Sequence, residues 1–272
     1  MYKPMVLDQP KNESRRLFWR EWVILVFAGA AATLSSLPGL WSVLEQTAGK
    51  MGLSMPSFLA LQMGSSVVQI AIFVALGLFF ARRTGLGAST LERWLEGKAV
   101  GDKIRSFLAP AISLGVLAAL AIFALERLVF APLLPGFATV TTQVSGWQAL
   151  LAAFYGGVLE ELITRLLYVS VLAWLLGRLS HTPDGIPSQG AVWAAIVVAA
   201  VLFGLQHLPA ASLSVTITPL VILRAIILNG IAGVLYGGMY YKRGLEAAML
   251  THFSSDILIH VILFPLFGTL LN

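Results

Sequence analysis

The chain contains a series of apolar runs that are each long enough to cross a lipid bilayer. A helix rises about 1.5 Å per residue, so roughly 20 apolar residues span the hydrocarbon core. Hydrophobic residues make up 58% of the sequence and charged residues 11%, against roughly a quarter charged in soluble domains. We therefore predict an all-α, polytopic transmembrane helical bundle, and an integral, multi-pass membrane protein. The predicted spans, about seven, cover residues 22–40, 57–81, 107–130, 147–177, 191–208, 218–241 and 245–267.

The basic residues predict the orientation of this bundle. Fourteen of the 18 Lys and Arg residues lie before span 1, between spans 2 and 3, after span 4 or after span 6. These segments share one side of the membrane if successive spans alternate in direction, and cytoplasmic loops carry the excess of Lys and Arg. The amino terminus is therefore predicted to be cytoplasmic. This topology explains the net charge of +5, so no nucleic-acid partner is expected.

The spans divide the chain into two predicted parts. Residues 1–146 hold spans 1–3 and a cytoplasmic interfacial loop, and residues 147–272 form a four-helix core of spans 4–7. In the loop, Ser89-x-x-Glu92 has the pattern of a capping box and predicts the start of a short helix. Its apolar residues are expected to lie on the membrane surface: Leu91, Trp94 and Leu95.

Ionisable residues are concentrated inside the last four spans. Each costs on the order of 2.5 to 3.5 kcal/mol near the bilayer centre, so such a cluster indicates a function. The residues are Glu160, Glu161, Arg165, His207, Arg224, His252, Asp256 and His260. We therefore place any chemistry in the second half of the chain.

Span 4 carries three of these groups. Glu161 and Arg165 are four residues apart, which places them one helical turn from each other as an expected ion pair. Glu160 then points about 100° away around the helix, where a carboxylate can act as a general base. The alternative is that all three belong to a structural ion network between helices.

The histidines of spans 5 and 7 each have a neighbour four residues away. Phe203 and His207 share one helical face, as do His252 and Asp256. The second pair suits either a metal ligand with its orienting carboxylate or a hydrogen-bonded pair. His260 continues this face by one turn and is expected to be a supporting or pore-side residue.

Span 6 contributes packing rather than chemistry in this interpretation. The pattern Gly233-x-x-x-Gly237 permits close approach of a neighbouring helix. Arg224 lies near the outer end of the span, where its side chain can extend to the membrane surface. We assign Arg224 no role.

The remaining residue types limit the chemistry. The sequence has no Cys, which excludes disulfides, thiolate metal sites and cysteine nucleophiles. Two His and one Glu form a known ligand set for catalytic zinc, so zinc at Glu160, His207 and His252 is one hypothesis. The other needs no cofactor, because Glu160 activates water directly. Glu160 cannot be a zinc ligand and the free base at the same moment.

Taken together, three motifs resemble the signature of a known family: Glu160-Glu161-x-x-x-Arg165, Phe203-x-x-x-His207 and His252-x-x-x-Asp256. They resemble the CPBP family of intramembrane proteases, which are related to the type 2, Ras-converting CAAX prenyl endopeptidase. The resemblance covers about residues 147–267. It implies a catalytic cavity that opens toward the cytoplasm and cleaves a peptide bond near the membrane surface, in a lipidated (CAAX-like) or membrane-anchored substrate.

The resemblance also implies roles for the residues of spans 4 and 5. Glu160 matches the glutamate that activates water, and His207 matches the histidine that shares this water. Glu161 and Arg165 match the supporting pair, and Phe203 belongs to the supporting set.

For span 7, the resemblance implies that His252 and Asp256 polarise the scissile carbonyl or complete a metal site. The family often has Asn where this chain has Asp256. An ionised Asp cannot donate a hydrogen bond to an oxyanion. Asp256 is therefore protonated, orients His252 or binds a cation.

Two alternative functions remain open at this stage. One is a non-catalytic membrane scaffold or immunity protein, and the other is a proton-coupled transporter, which also uses buried ionisable groups. The predicted depths pose a further question, because His252 lies roughly 10 Å from the cytoplasmic side and His207 lies near the opposite end of span 5. The two can cooperate only if the span boundaries or tilts differ from those predicted.

Overall fold

The computed structural model describes residues 11–134, 145–213 and 215–267, and within them the chain is almost entirely helical. This confirms the predicted all-α class. The elements are α1 (Lys11–Lys50), α2 (Met55–Thr84), α3 (Ser89–Leu95), α4 (Gly101–Leu133), α5 (residues 146–177), α6 (Gln189–Ala211), α7 (Pro219–Arg243) and α8 (Leu245–Phe267).

Six of the described helices are long and apolar enough to cross a membrane, namely α1, α2, α4, α6, α7 and α8. Helix α5 is the predicted fourth span, but Glu160, Glu161 and Arg165 make it more polar than the others. The prediction of an integral multi-pass membrane protein is confirmed, and the prediction of about seven spans roughly matches the structure.

The helix ends follow local sequence signals. Ser54 precedes α2 and its hydroxyl accepts a hydrogen bond from the Ser57 N–H, and Thr218 caps α7 in the same way through the Val221 N–H. Such side chains satisfy N–H groups that have no partner within the first turn of a helix. Gly244 joins α7 to α8 at a φ of 103°, a conformation that favours glycine.

Helix α3 begins differently from the prediction. The prediction of a capping box at Ser89-x-x-Glu92 is wrong, because Ala88 is the N-cap residue and no side chain caps the helix from that position. Instead Oε1 of Glu246 in α8 accepts hydrogen bonds from the N–H groups of Thr90 (3.0 Å) and Leu91 (2.7 Å). A distant carboxylate therefore replaces the local cap, which sequence spacing cannot reveal.

The apolar face predicted for α3 is also only partly correct. Trp94 is exposed, as a residue apposed to a membrane would be, but Leu95 is buried and Leu91 packs against the core. Helix α3 therefore rests on the bundle through two of the three residues.

Helix α5 lies at the centre of the bundle. Its Leu162 and Leu166 are buried, and Gly77 of α2 lies so close that an added Cβ would be 2.8 Å from Cγ of Leu166. The predicted close approach at span 6 is confirmed, because Gly233 packs against Ala200 of α6 and Gly237 against Ile196.

The two predicted parts of the chain pack against each other. Ser35 of α1 donates a hydrogen bond to the carbonyl of Leu151, and Gln148 donates to the carbonyl of Pro38. The division into residues 1–146 and 147–272 stays a prediction.

Candidate active site

A cavity of about 430 Å³ lies between α4, α5, α6, α7 and α8. Glu160, His207, His252, Asp256 and Phe203 all line it. His207 and His252 therefore border the same space, which answers the question raised by their predicted depths. The cavity also includes Tyr155, Gly156, Tyr236, Asn229, His260, Glu126 and Arg224.

His252 is held from behind by a buried chain of charged groups. Its Nδ1 lies 2.7 Å from Oε1 of Glu161, and Oε2 of the same carboxylate lies 3.1 Å from Nε of Arg165. The predicted Glu161–Arg165 ion pair is thus confirmed, and both side chains are fully buried. Because Glu161 accepts, Nδ1 of His252 carries a proton and Nε2 is directed away from the pair.

The other ring nitrogen of His252 faces two carboxyl groups at the cavity wall. Nε2 lies 3.4 Å from Oδ2 of Asp256 and 3.9 Å from Oε2 of Glu160. These acids are 17% and 20% exposed, whereas Glu161 is 0% exposed. The 3.9 Å separation is too long for a direct hydrogen bond and leaves space for an oxygen atom that contacts both groups.

His207 is fixed by its own helix. Its Nδ1 lies 2.7 Å from the carbonyl oxygen of Phe203, and a carbonyl only accepts, so this nitrogen carries a proton. In the tautomer with its proton on Nδ1, the ring presents Nε2 as an acceptor. The Phe203 ring contacts both histidines edge-on, with centroid distances of 4.8 Å to His207 and 5.9 Å to His252.

The backbone around these residues departs from a regular α-helix. Helix α5 is π-helical over Gly156–Glu160 and Leu162–Val169, and α8 becomes π-helical at Ile257–Leu263, directly after Asp256. A π-helical turn contains more residues than an α-helical one and changes the direction of side chains, often at functional sites. The i, i+4 spacings therefore predicted which side chains pair. The angle of about 100° per residue of a regular α-helix does not describe the directions of side chains in these π-helical turns.

Gly156 makes room for the two site residues of α8. A Cβ at this position would lie 2.5 Å from Oδ2 of Asp256 and 3.2 Å from Nε2 of His252. Its φ of −59° is ordinary, so the requirement for glycine is one of space. Gly156 was not among the site residues predicted from the sequence, although it lies four residues before Glu160.

Three further residues were missed or misassigned. Arg224 does not extend to the membrane surface as predicted, because its Nε lies 2.8 Å from Oε2 of Glu126 at the cavity wall. Glu126 was overlooked, although a carboxylate inside the third predicted span was a usable signal. Tyr236 stacks on the His252 ring at 4.7 Å and, together with Phe203, flanks the Arg165 guanidinium.

The predicted zinc ligands are not arranged as a metal site. Within residues 11–134, 145–213 and 215–267, no group of three or more His, Cys, Asp or Glu side chains is arranged to hold a metal ion. The zinc hypothesis at Glu160, His207 and His252 therefore does not fit, and a metalloprotease is not supported.

The geometry defines a class of site: histidines and carboxylates at a cavity inside a membrane bundle. Residues 142–258 match the model of a protein family described as Rce1-like, type II CAAX prenyl endopeptidase. The resemblance to the CPBP family is thereby confirmed over this segment. The match supports an intramembrane endopeptidase of the CAAX type in general. No curated protein matches the chain, and no solved structure matches it.

Proposed function

We propose that the protein is an intramembrane endopeptidase in which Glu160 activates a water molecule for attack on a peptide carbonyl. The observation that carries this proposal is the approach of Glu160 and Asp256 to one nitrogen of His252 at the cavity wall. A peptide hydrolase needs a base for water and a donor for the developing oxyanion. Glu160 supplies the first, and His252 supplies the second.

The reaction can be written with these groups alone. Glu160 takes a proton from water as the water oxygen bonds to the carbonyl carbon, and the carbonyl oxygen becomes an oxyanion. The protonated His252 donates a hydrogen bond from Nε2 to this oxygen. Glu160 then returns the proton to the amide nitrogen as the C–N bond breaks, which releases a carboxyl end and an amine.

The other residues orient these two. Glu161, fixed by Arg165, holds Nδ1 of His252 and so fixes the direction of Nε2. Nε2 of His207 accepts the second hydrogen of the attacking water, because its Nδ1 proton is engaged by Phe203. Asp256 stabilises the protonated His252 ring from 3.4 Å. A donor held in place before the reaction loses little energy to reorganisation.

The substrate in this proposal is a membrane-anchored or lipidated peptide. Apolar residues form much of the cavity wall, including Ile122, Val221, Leu228, Ile259 and Phe264. Such a lining accepts apolar side chains or a lipid chain, while the polar groups converge at one point. The family description names a CAAX prenyl endopeptidase, whose substrates are lipidated at the carboxyl terminus.

The test is the substitution Glu160→Gln, which keeps the shape of the side chain but removes the base. Cleavage should fall by about 10² to 10⁴, the usual contribution of general acid–base catalysis, while membrane insertion and folding persist. The probes are two quenched fluorescent peptides, one farnesylated with a CAAX end and one with an amino-terminal acyl chain. The matched control is Glu45→Gln, since Glu45 is exposed on α1.

Unchanged cleavage in Glu160→Gln would remove the protease assignment. A scaffold or immunity protein would retain its function in this variant, and a proton-coupled transporter would lose gradient-driven movement instead.

A further inference from the structure

The two ends of the bundle differ strongly in charge. One end, here called the basic end, carries α3, the loop between α5 and α6, and the turn at Gly244. The first turns of α1 belong to it, since Arg20 donates a hydrogen bond to the carbonyl of Leu95 in α3. Among the residues that the structure describes, thirteen Lys and Arg residues lie in the segments of this end. The opposite end, the far end, includes the loops after α1 and α6.

The far end carries few basic residues. The Lys and Arg residues of the far end are Lys50, Arg127 and Arg224. Arg165 lies inside the bundle. Because Lys and Arg accumulate in cytoplasmic loops, the basic end is the cytoplasmic one. The far end then lies on the non-cytoplasmic side of the membrane.

The cavity extends from the middle of the bundle to the far end. Helices that run toward the far end contribute their later residues, such as His207 and Ala211 of α6 and Phe264 of α8. Helices that start there contribute their first half, such as Ala152 of α5 and Arg224 of α7. The five helices alternate in direction, and in each of them most of the cavity-lining residues lie in the half nearer the far end.

Exposure along α8 rises in the same direction. His252 is 4% exposed, Asp256 is partly exposed, and His260, one turn further toward the far end, is exposed. Along this face of α8, from His252 to His260, exposure therefore increases with distance from the basic end.

The path from the site to the basic end is filled by packed side chains. In α8, Thr251, Ala248, Ala247 and Leu245 are all 0% exposed. At the same level Ser170 of α5 hydrogen-bonds to the hydroxyl of Tyr240 over 2.8 Å, with both residues buried. Interiors packed in this way leave few voids as large as a water molecule, so a peptide has no route to the site from that end.

We propose that the site is reached from the non-cytoplasmic side, and that its substrate is a membrane-anchored polypeptide whose scissile bond lies in that half of the bilayer. This inference rests on the proposed function in that it assumes a substrate that is cleaved. The direction from which the cavity is reached does not depend on that function. It reverses the expectation that the cavity opens toward the cytoplasm. The carboxyl terminus of a prenylated cytoplasmic protein would meet the basic end, where no opening to the site lies among the described residues.

Single-cysteine labelling tests the direction of access. The chain contains no Cys, so each variant carries one thiol without further engineering. Ser212→Cys reports the far end, Asp184→Cys reports the basic end, and Ala211→Cys lies in the cavity wall; residues 184 and 212 are exposed. A membrane-impermeant maleimide should label the cysteines at 211 and 212 in intact cells, and the cysteine at 184 only after permeabilisation.

The reverse pattern would overturn the inference. So would labelling at 212 from outside with no labelling at 211 from that side, since the cavity would then be closed there.

A second experiment separates this inference from the proposed function. The amino-terminally acylated quenched peptide, made membrane-impermeant by a charged tail, is added to right-side-out and to inside-out vesicles. Cleavage should occur only with right-side-out vesicles and should be lost in Glu160→Gln. Cleavage only with inside-out vesicles would overturn the inference. No cleavage in either orientation, with the expected labelling, would count against the protease and leave the direction of access standing.

Discussion

The bundle contains two groups of carboxylates inside or close to its helices, and they differ in what surrounds them. The basic-end cluster comprises Glu21, Arg82, Glu92 and Glu246. The cavity cluster comprises Glu160, Glu161, Arg165, His252 and Asp256. In the basic-end cluster Oε2 of Glu21 lies 2.7 Å from Nη2 of Arg82, and Glu246 accepts from two backbone N–H groups of α3. These contacts join α1 to α2 and α8 to α3.

The two clusters differ in what their carboxylates face. Glu160, His252 and Asp256 of the cavity cluster line the cavity of about 430 Å³, and none of the four basic-end residues lines it. Glu21 and Glu246 instead contact Arg82 and the backbone of α3. Buried charge alone is therefore a poor guide to catalysis, since ion networks also serve structure. The informative combination is a charged group held rigidly on one side and facing open space on the other.

The largest effect that would sharpen this comparison is expected from Arg165→Ala. Arg165 is 0% exposed, so its removal breaks a buried ion pair and leaves Glu161 with His252 but without its arginine. Removing one partner of a buried ion pair typically costs about 3 to 5 kcal/mol. Arg82→Ala should cost less, because the Arg82 side chain is 18% exposed and water can reach Glu21 after the change. Thermal unfolding in detergent and the yield of membrane-inserted protein measure both, with the exposed Arg105→Ala as control.

The outcome for Arg165 also decides its role. A variant that is fully folded but inactive would contradict the structural assignment and give Arg165 a direct part in the reaction.

A second prediction concerns the space that Gly156 provides. In Gly156→Ala the new Cβ would collide with Asp256 and His252, so these side chains would shift by a few tenths of an ångström to about 1 Å. Displacement of this size can cost about 10²-fold in rate. The matched control is Gly230→Ala in α7, where an added Cβ meets no atom within 4 Å. Cleavage rates and unfolding temperatures of both variants provide the measurement, and equal rates would show that the site tolerates the contact.

Asp256→Asn is expected to have a milder effect, under about tenfold or about 1.4 kcal/mol. The amide can still accept a hydrogen bond from Nε2 of His252 and can also donate one. Asp102→Asn, on an exposed side chain at the start of α4, controls for the change of charge. A loss as large as that of Glu160→Gln, together with a loss of bound metal from the purified protein, would instead indicate that Asp256 binds a cation.

The sequence was sufficient to predict the helical membrane fold and the Glu161–Arg165 pair, because both depend on local periodicity. It also identified Glu160, His207, His252 and Asp256, which the structure brings to one cavity. Their catalytic roles stay a prediction until the variants are measured.

Contacts between distant segments were not predictable from spacing. The bond from Glu161 to His252 joins residues 91 positions apart, and the pairing of Glu126 with Arg224 joins residues 98 positions apart. The cap of α3 by Glu246 is a third case. In each of these three contacts, the packing of whole helices decides which residues meet. The i, i+4 spacing describes neighbours within one helix only.

The smallest effect concerns pH and the basic-end cluster. The pKa of Glu92 is raised from 4.5 to about 7, chiefly by burial, with the nearby carboxylates Glu246 and Glu96 adding to the shift and Arg82 opposing it. Between these two values the folded protein holds a proton on Glu92 that the unfolded chain has released. Stability therefore falls as pH rises from about 4.5, and the loss is complete once the pH has risen past about 7.

Glu92→Gln removes this proton linkage. The unfolding temperature of the wild-type protein in detergent should fall more steeply between pH 4.5 and 7 than that of the variant. The cleavage rate of the wild-type protein divided by that of the variant should stay constant across that pH range, because Glu92 does not line the cavity. If the unfolding curves of both shift equally with pH, Glu92 carries no linked proton. If instead the cleavage ratio changes with pH, the two clusters are coupled and the contrast between a structural and a catalytic cluster fails.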